Sequence, residues 1–491
     1  ELEGEDAFGR SSRIAVVQAP RLLPRLIPIP EEVAGATDQF VTLTGVISTH
    51  LDRLFNGMSI VQSTPFRVTR NSELWVDEEE VEDLLLALKG ELPRRNFGAA
   101  VRLELGRRCT DENRRFLLEQ FELGEEDLYR VDGPVNLHRL AALHDLVDRP
   151  DLKYQPYVPT QPKGLGSDAD LFERIRAGDV LLHHPFQSFS PVVELLQQAA
   201  SDPQVLAIKM TLYRIGKGSP MADALLEAAR NGKEVTAVVE LRARFDEAAN
   251  IELATRLQDA GAKVVYGVVG FKAHAKMLLI VRRDDDGVRR YTHLGTGNYH
   301  LGNTRAYTDF GLLTCDDAIG EDMHSIFQQL TGLGSASSLA SLLQSPFTLH
   351  ETMMVCIERE TQNAREGKPA AIRARMNALI EPRIIRALYA ASQAGVPIDL
   401  LVRGVCCLRP GIPGVSDNIR VRSVVGRFLE HSRVFEFAND GEPVAYASSA
   451  DWMPRNFFRR VETAFPVPEG PIHDRVVEEG LALYFAVSYT H

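Results

Sequence analysis

The stretches FKAHAKMLLIV, residues 271–281, and FLEHSRVFEF, residues 428–437, decide how this chain is read. Each carries Phe three residues before a His (Phe271 and His274, Phe428 and His431), and each runs on into an apolar segment of strand character. Outward from them the landmarks repeat. Upstream, a helix-then-Gly-then-strand passage, LEAARNGKEVTAVVEL at 226–241, has a counterpart in LYAASQAGVPIDLLV at 388–402, with Gly232 opposite Gly395. From glycine to histidine is 274 − 232 = 42 residues in the first copy and 431 − 395 = 36 in the second. Downstream, Gly295-Thr296-Gly297-Asn298 begins 295 − 274 = 21 residues after one histidine, and Ser448-Ser449-Ala450-Asp451 begins 448 − 431 = 17 after the other. Four landmarks in one order imply an internal duplication, two similar α/β units that place His274 and His431 at corresponding points.

Within the first copy, the runs VLAIKMTLY, VTAVVEL, KVVYGVV and KMLLIV alternate with ADALLEAARNG and NIELATRLQDAG. Apolar, β-branched runs separated by segments of helical period predict a largely parallel sheet covered by helices. Two stretches punctuate the chain: YQPYVPTQPKGLG at 154–166, rich in Pro and Gly, and the small, polar GLGSASSLASLLQS at 332–345. The expected organisation is a mixed α+β head domain over 1–160, a first α/β unit over 161–340 and a second over 341–491. In the head, apolar runs such as IAVVQAP stand beside a helical stretch, VDEEEVEDLLLAL.

Composition narrows the function. The chain has 491 residues, 44% of them hydrophobic and 25% charged, which is globular composition and excludes disorder, collagen and coiled coil. No window approaches the ~18 to 20 uninterrupted apolar residues of a membrane helix, and the opening ELEGEDAFGR is acidic where a signal peptide is basic and then apolar. A cytoplasmic protein is therefore expected. The five cysteines have neither CxxC nor Cys/His metal spacing, so neither a disulfide framework nor a zinc site is expected. With 55 Lys plus Arg against 67 Asp plus Glu, the net charge of −12 argues against general nucleic-acid binding. Local balance differs. Residues 401–435 hold six arginines against Asp417 and Glu430, and residues 271–290 hold six basic residues against three aspartates. Two basic islands in an acidic body suggest a confined anion site.

His274 begins a predicted strand, and the two-residue spacing to Lys276 puts both side chains on one face, where an imidazole and an ammonium address one phosphate. A neutral imidazole is nucleophilic near pH 7, and a neighbouring cation disfavours imidazolium while neutralising phosphoryl oxygens. HxK alone is a weak signal; the duplicated His431, the GTGN stretch and the arginines give it weight. Arg214, after VLAIKMTLY, and Arg244, after VTAVVEL, stand at the carboxyl ends of predicted strands, where ligands of open α/β sheets sit, and both can fork onto phosphate. Arginine stays protonated and is no ordinary metal ligand, so a Mg²⁺ near either residue is reached through phosphate oxygens. There is no GxxxxGKS loop, no GxGxxG after a strand and no protein-kinase motif set, so ATP chemistry here uses another scaffold.

The ordered runs DVLLHHPFQSF, IKMTLYR, VVELRARFDEAANI, FKAHAKM, HLGTGN, YTDFGLLT, SDNI, FLEHSRV and SSADWMPRN resemble the polyphosphate kinase family of the phosphohistidine type, densely over residues 161–470 and more loosely before. The resemblance implies two tandem phospholipase D-like α/β units behind a head domain. It implies that His274 is the histidine phosphorylated by ATP and that His431 is a second essential histidine against the nucleotide phosphates. Tyr307 and Arg403 match nucleotide-contacting positions, and Arg214 and Arg244 match positions associated with magnesium. Asp309, two residues after Tyr307, is a candidate partner for a histidine.

The activity so implied is reversible transfer of the ATP γ-phosphate, through a phosphohistidine and with Mg²⁺, to the end of an inorganic polyphosphate chain. ATP, ADP and polyphosphate are the expected partners, with homo-oligomeric assembly; peripheral attachment at the inner face of a membrane is compatible with the sequence. Family members begin with a further helical domain whose asparagine contacts the nucleotide. That asparagine has no counterpart here, and the chain is expected to be a fragment or the ordered part of a longer polypeptide. The sequence has two other readings. A phosphodiesterase of the phospholipase D kind asks for HxK followed by Asp in both halves, whereas the second half reads His431-Ser432-Arg433. A polyphosphate-binding module would form no phosphoenzyme.

Overall fold

The alternation of apolar runs and amphipathic segments folds into two sheets of one design. The structure, a computed structural model, describes every residue except 6–12, 21, 56, 72–97, 167–168, 214–217, 242–246, 269, 333–337 and 487–491. It divides into one unit of Glu1–Trp75 with Gly90–Pro156 and a second that holds everything from Tyr157 onward.

The first unit contains β1 (Leu2–Gly4), β2 (Leu26–Pro28), β3 (Phe40–Thr42), β4 (Met58–Ile60), β5 (Phe66–Arg70), β6 (Ala100–Gly106) and β7 (Leu128–Val131). Short ribbons pair β1 with β4 and β2 with β3, and β5–β6–β7 forms a three-stranded sheet. On that sheet lies the helix Asp111–Phe121, whose first turn is capped by Thr110 Oγ1 accepting from the Asn113 amide at 3.2 Å. Leu103, Leu105, Leu117 and Leu118 form its core. The run IAVVQAP makes no strand, and the stretch VDEEEVEDLLLAL lies outside the described residues.

The second unit begins with β8 (Val180–His184), β9 (Val205–Leu212), β10 (Glu234–Val239), β11 (Lys263–Val265), β12 (Lys272–Ala273), β13 (Lys276–Asp284), β14 (Gly287–Gly295) and β15 (Tyr307–Thr314). It continues with β16 (Leu343–Ser345), β17 (Ile372–Met376), β18 (Ile398–Val402), β19 (Ile419–Arg422), β20 (Leu429–Glu430), β21 (Arg433–Phe437), β22 (Val444–Ser448) and β23 (Arg460–Pro466). One sheet runs β11–β10–β9–β13–β14–β15 with β8 beyond β15, and the other runs β19–β18–β17–β21–β22–β23 with β16 beyond β23. Strand for strand the directions agree, parallel at the β11–β10–β9 and β19–β18–β17 ends and antiparallel elsewhere. Gly232 and Gly395, opposed in the sequence repeat, both end a helix with positive φ, 78° and 97°.

The sheets are mixed, not largely parallel as expected. Strands buried on both faces read alike whichever way they run, and a tight hairpin reverses the chain here: Asp284 pairs with Gly287 across Asp285-Asp286, which turns β13 straight back into β14.

A smaller exchange joins the two sheets. β12, just before His274, pairs in parallel with β23 of the second sheet, while β20, just before His431, pairs in parallel with β15 of the first. Each unit thus lends the other the two residues that lead into its histidine. A shared core stands behind the exchange, with Phe310, Leu312 and Phe327 from one unit packed with Val434, Ala447 and Phe465 from the other. Side chains buried this fully contribute roughly 1.5–3 kcal/mol each, so the two sheets hold together as one body.

Candidate active site

The exchanged strands set the site. His274 lies between β12 and β13, not within a strand as expected: its amide and that of Ala275 both donate to the Val461 carbonyl at 2.9 Å, a local widening of the ladder. The imidazole, 8% exposed, brings Nδ1 to 2.8 Å from Glu462 Oε2. Glu462 lies on β23, in the other half of the fold. The arrangement repeats at the second histidine, whose Nδ1 is 2.9 Å from both carboxylate oxygens of Asp309 on β15. Each histidine is therefore backed by a carboxylate from the opposite sheet. Each carboxylate is braced by a hydroxyl: Thr296 Oγ1 donates to Asp309 at 2.6 Å, and Ser449 Oγ donates to Glu462 at 2.5 Å. Thr296 belongs to GTGN and Ser449 to SSAD, so the downstream landmarks hold the backing acids in place. Gly297 is required there, because a Cβ would fall 2.1 Å from Asp309 Oδ2.

Cations occupy the position two residues beyond each histidine. Lys276 is buried, its Nζ donates to the His274 carbonyl, and it lies 5.4 Å from the centre of the Tyr213 ring, which meets His274 edge-on at 4.7 Å. Arg433 forks onto Asp451 with two bonds of 3.1 Å, reaches the His431 carbonyl at 2.8 Å and lies 3.2 Å from His431 Nε2. Asp451 accepts from the Asn377 amide at 2.7 Å, and Asn377 Oδ1 accepts from Arg403 Nε at 2.8 Å, which ties Arg403 to this cluster. The Tyr307 ring centre lies 5.3 Å from that of His431.

Of the residues singled out by sequence, His274, Lys276, Tyr307, Asp309, Arg403 and His431 thus belong to one connected site. Arg214 and Arg244 lie outside the described residues. The first basic island is not an anion site as a whole. Three of its four hairpin arginines are neutralised where they stand, Arg282 by Asp202 and Asp284, Arg289 by Asp284 and Asp286, Arg290 by Glu321.

Glu462 and Arg460 were missed. Arg460 Nη1 stands 3.6 Å from Glu462 Oε1, and its place in β23 beside Lys272 matches that of Tyr307 in β15 beside Leu429. A signal for Glu462 existed: Asp309 follows the start of GTGN by 309 − 295 = 14 residues, and Glu462 follows the start of SSAD by 462 − 448 = 14.

Burial holds the His274 imidazole well below its ordinary pKa, and the positive charges of Lys276, Arg460, Arg433 and His431 act in the same direction. Burial likewise pushes Lys276 well down and Glu462 up, the latter opposed by Lys276, Arg460, Ser449 and Arg433. Asp309 also suffers burial, yet His431, Thr296 and Arg433 outweigh it and keep its carboxyl below the usual range. His274 is consequently a neutral base at neutral pH. When Glu462 is ionised it only accepts, so Nδ1 carries the imidazole proton and the lone pair is on Nε2.

Behind Asp309 lie further neutral histidines. Burial pushes His184 down to about 4, and burial together with His184 pushes His293 down to about 3. The unfolded chain binds these protons near pH 6.5 and the folded chain does not, so stability should be lost as pH falls from 6.5 towards the folded values. Each group contributes about 1.4 kcal/mol per pH unit in that window. Urea unfolding at pH 7.5, 6.5 and 5.5 should show a falling midpoint, with a shallower fall in His184→Asn, which retains a donor towards the Gln187 carbonyl.

Among the described residues no group of three or more His, Cys, Asp or Glu side chains could hold a metal, and the carboxylates of the site are each engaged by histidine or arginine. A duplicated α/β fold with carboxylate-backed histidines among buried cations defines an enzyme that handles phosphoryl groups. Comparison with known proteins makes this particular. Residues 1–143 match the polyphosphate kinase middle domain, 170–336 the polyphosphate kinase C-terminal domain 1 and 342–484 the polyphosphate kinase C-terminal domain 2. The chain is 57% identical over 479 residues to the polyphosphate kinase of Pseudomonas aeruginosa, an alignment that covers 98% of this chain and 69% of that protein. It is 54% identical over 486 residues to that of Neisseria meningitidis serogroup C, covering 99% and 71%. The crystal structure of polyphosphate kinase from Porphyromonas gingivalis superposes with a TM-score of 0.79 at 34% identity, covering 94% of this chain and 68% of that one. The chain belongs to the polyphosphate kinase family. Its activity is that of an ATP:polyphosphate phosphotransferase. No helix among the described residues is long and apolar enough to cross a membrane.

Proposed function

We propose that the transfer runs through a phosphohistidine at His274. The reading rests on one observation, the reciprocal backing of His274 by Glu462 and of His431 by Asp309. His274 Nε2 attacks the γ-phosphorus of ATP, the bond to the β,γ-bridging oxygen breaks and ADP leaves. The Nδ1 proton stays between imidazole and Glu462, whose charge stabilises the phosphoimidazolium. A terminal oxygen of polyphosphate then attacks the same phosphorus, the N–P bond breaks and His274 returns to its neutral form. Run backwards, the sequence phosphorylates ADP. Two steps at one imidazole avoid a direct encounter of two polyanions.

Phosphoryl transfer passes through a loose state with charge spread over equatorial oxygens, so positioning and electrostatics carry the rate. Arg433 and Arg460 supply fixed positive charge there, with Lys276 a buried donor beside His274. His431, aligned by Asp309, faces the nucleotide phosphates; Arg403 clamps them and Tyr307 offers its ring to the nucleotide. The family resemblance brings Mg²⁺ with the nucleotide and associates Arg214 and Arg244 with it; as permanently protonated groups, these arginines would serve the phosphate oxygens and not the metal itself. Assembly as a homo-oligomer belongs to the same reading.

Incubation with γ-³²P ATP and Mg²⁺ should yield protein label that is acid-labile and base-stable, and that chases into polymer with polyphosphate or into ATP with ADP. Turnover without any such label would overturn the phosphohistidine route, and the absence of both label and turnover would leave a polyphosphate-binding module.

A further inference from the structure

Around His431, four polar side chains converge from four separate parts of the chain. Glu430, which immediately precedes His431, accepts on Oε2 from Thr308 Oγ1 at 2.8 Å and from the Tyr484 hydroxyl at 2.9 Å. The same oxygen accepts from Arg375 Nη2. Thr308 Oγ1 in turn accepts from Arg375 Nη2 at 2.6 Å and from the His431 amide at 3.2 Å. Arg375 is 3% exposed, stacks 4.3 Å from the Tyr484 ring centre and donates from Nη1 to the Gly480 carbonyl at 3.2 Å. Thr308 stands between Tyr307, beside the His431 ring, and Asp309, on its Nδ1, so three successive residues of β15 hold ring, backbone and nitrogen of one histidine.

Tyr484 and Gly480 belong to the helical segment that runs from Pro471 to Ala486 and widens into a π turn over Glu478–Ala482. That segment is pinned elsewhere too. Glu479 Oε2 lies 2.8 Å from His183 Nδ1, and His183 stacks on Phe310, the residue after Asp309, at 4.2 Å. One C-terminal element therefore grips both residues flanking His431's acid: Thr308 through Glu430 and Arg375, and Phe310 through His183.

We infer that Thr308, Glu430, Arg375 and Tyr484 form a positioning hub through which the C-terminal helical segment sets His431, and with it the nucleotide half of the reaction. The inference rests on the reading of His431 as the nucleotide-side histidine. None of the four touches the His274–Glu462 pair in the hydrogen-bond network. Loosening the hub should consequently affect the step that uses the nucleotide and spare the step that does not.

Rapid-quench measurement separates the two steps. Thr308→Val removes both the acceptor for the His431 amide and a donor to Glu430, and Tyr484→Phe removes one hydroxyl while keeping the ring over Arg375. Both should slow phosphoenzyme formation from γ-³²P ATP, by about 10- to 100-fold for Thr308→Val, on the scale expected of a displaced reacting group. Chase of preformed phosphoenzyme into polyphosphate should keep its wild-type rate, and Thr308→Ser should restore formation. Equal slowing of both steps in parallel with a lowered thermal midpoint, or no slowing of either, would overturn the inference. His431→Ala belongs in the same assay. If it leaves formation unaffected, the reading of His431 fails; if it slows formation while the hub variants do not, the hub alone fails.

Discussion

His274→Ala is expected to carry no acid-labile phosphate after incubation with γ-³²P ATP and to lose about 10⁴-fold or more in polymer synthesis. Losses of that order follow removal of the attacking group in covalent catalysis, because the bond-forming atom is gone while binding is retained. The variant should still fold. The alanine leaves Glu462 with its Ser449 donor and with Lys276 and Arg460 nearby, and an acid whose pKa burial already raises can take up a proton in place of its lost partner. His431→Ala is the informative comparison. It keeps the nucleophile and its acid, so slow labelling should persist. Full labelling of His274→Ala at the wild-type rate would place the phosphoryl group on another residue and end the assignment.

Glu462→Gln should slow phosphoenzyme formation by about 10²- to 10⁴-fold with little change in KM for ATP, the range in which a wrongly oriented imidazole acts. The carboxamide is nearly isosteric, but its NH₂ can donate to Nδ1. That reverses the tautomer, puts the proton on Nε2 and removes the lone pair that attacks phosphorus. It also removes the negative charge that would stabilise the phosphoimidazolium. Glu462→Asp keeps the charge and shortens the reach, so it should fall between wild type and Glu462→Gln. An unchanged rate in Glu462→Gln would show that the 2.8 Å contact orients nothing. The corresponding Asp309→Asn should act on His431 and therefore on the nucleotide step.

The duplication, the two histidines at matching points and the cations two residues beyond them are all legible in the linear chain. Those features are local: a Phe-to-His spacing, a helix ended by Gly232 or Gly395, and a run of apolar residues keep their meaning wherever the segment lies. Strand direction was less legible, because β9 and β13 are buried on both faces and a continuous apolar run does not say which way its neighbour runs. The hairpin at Asp284–Gly287, by contrast, leaves a local mark in its turn residues. Asp309 was noticed without a role, since nothing near Tyr307 says that the histidine it serves lies 431 − 309 = 122 residues onward. Glu462 carried a still weaker local mark. The crossing of β12 and β20 to the opposite sheets, by which each half supplies the acid for the other's histidine, emerges only when the chain is folded. The reason is physical: a carboxylate tunes an imidazole over about 3 Å, and which groups come within that distance depends on how two buried sheets share a core, a property that no single stretch of the chain contains.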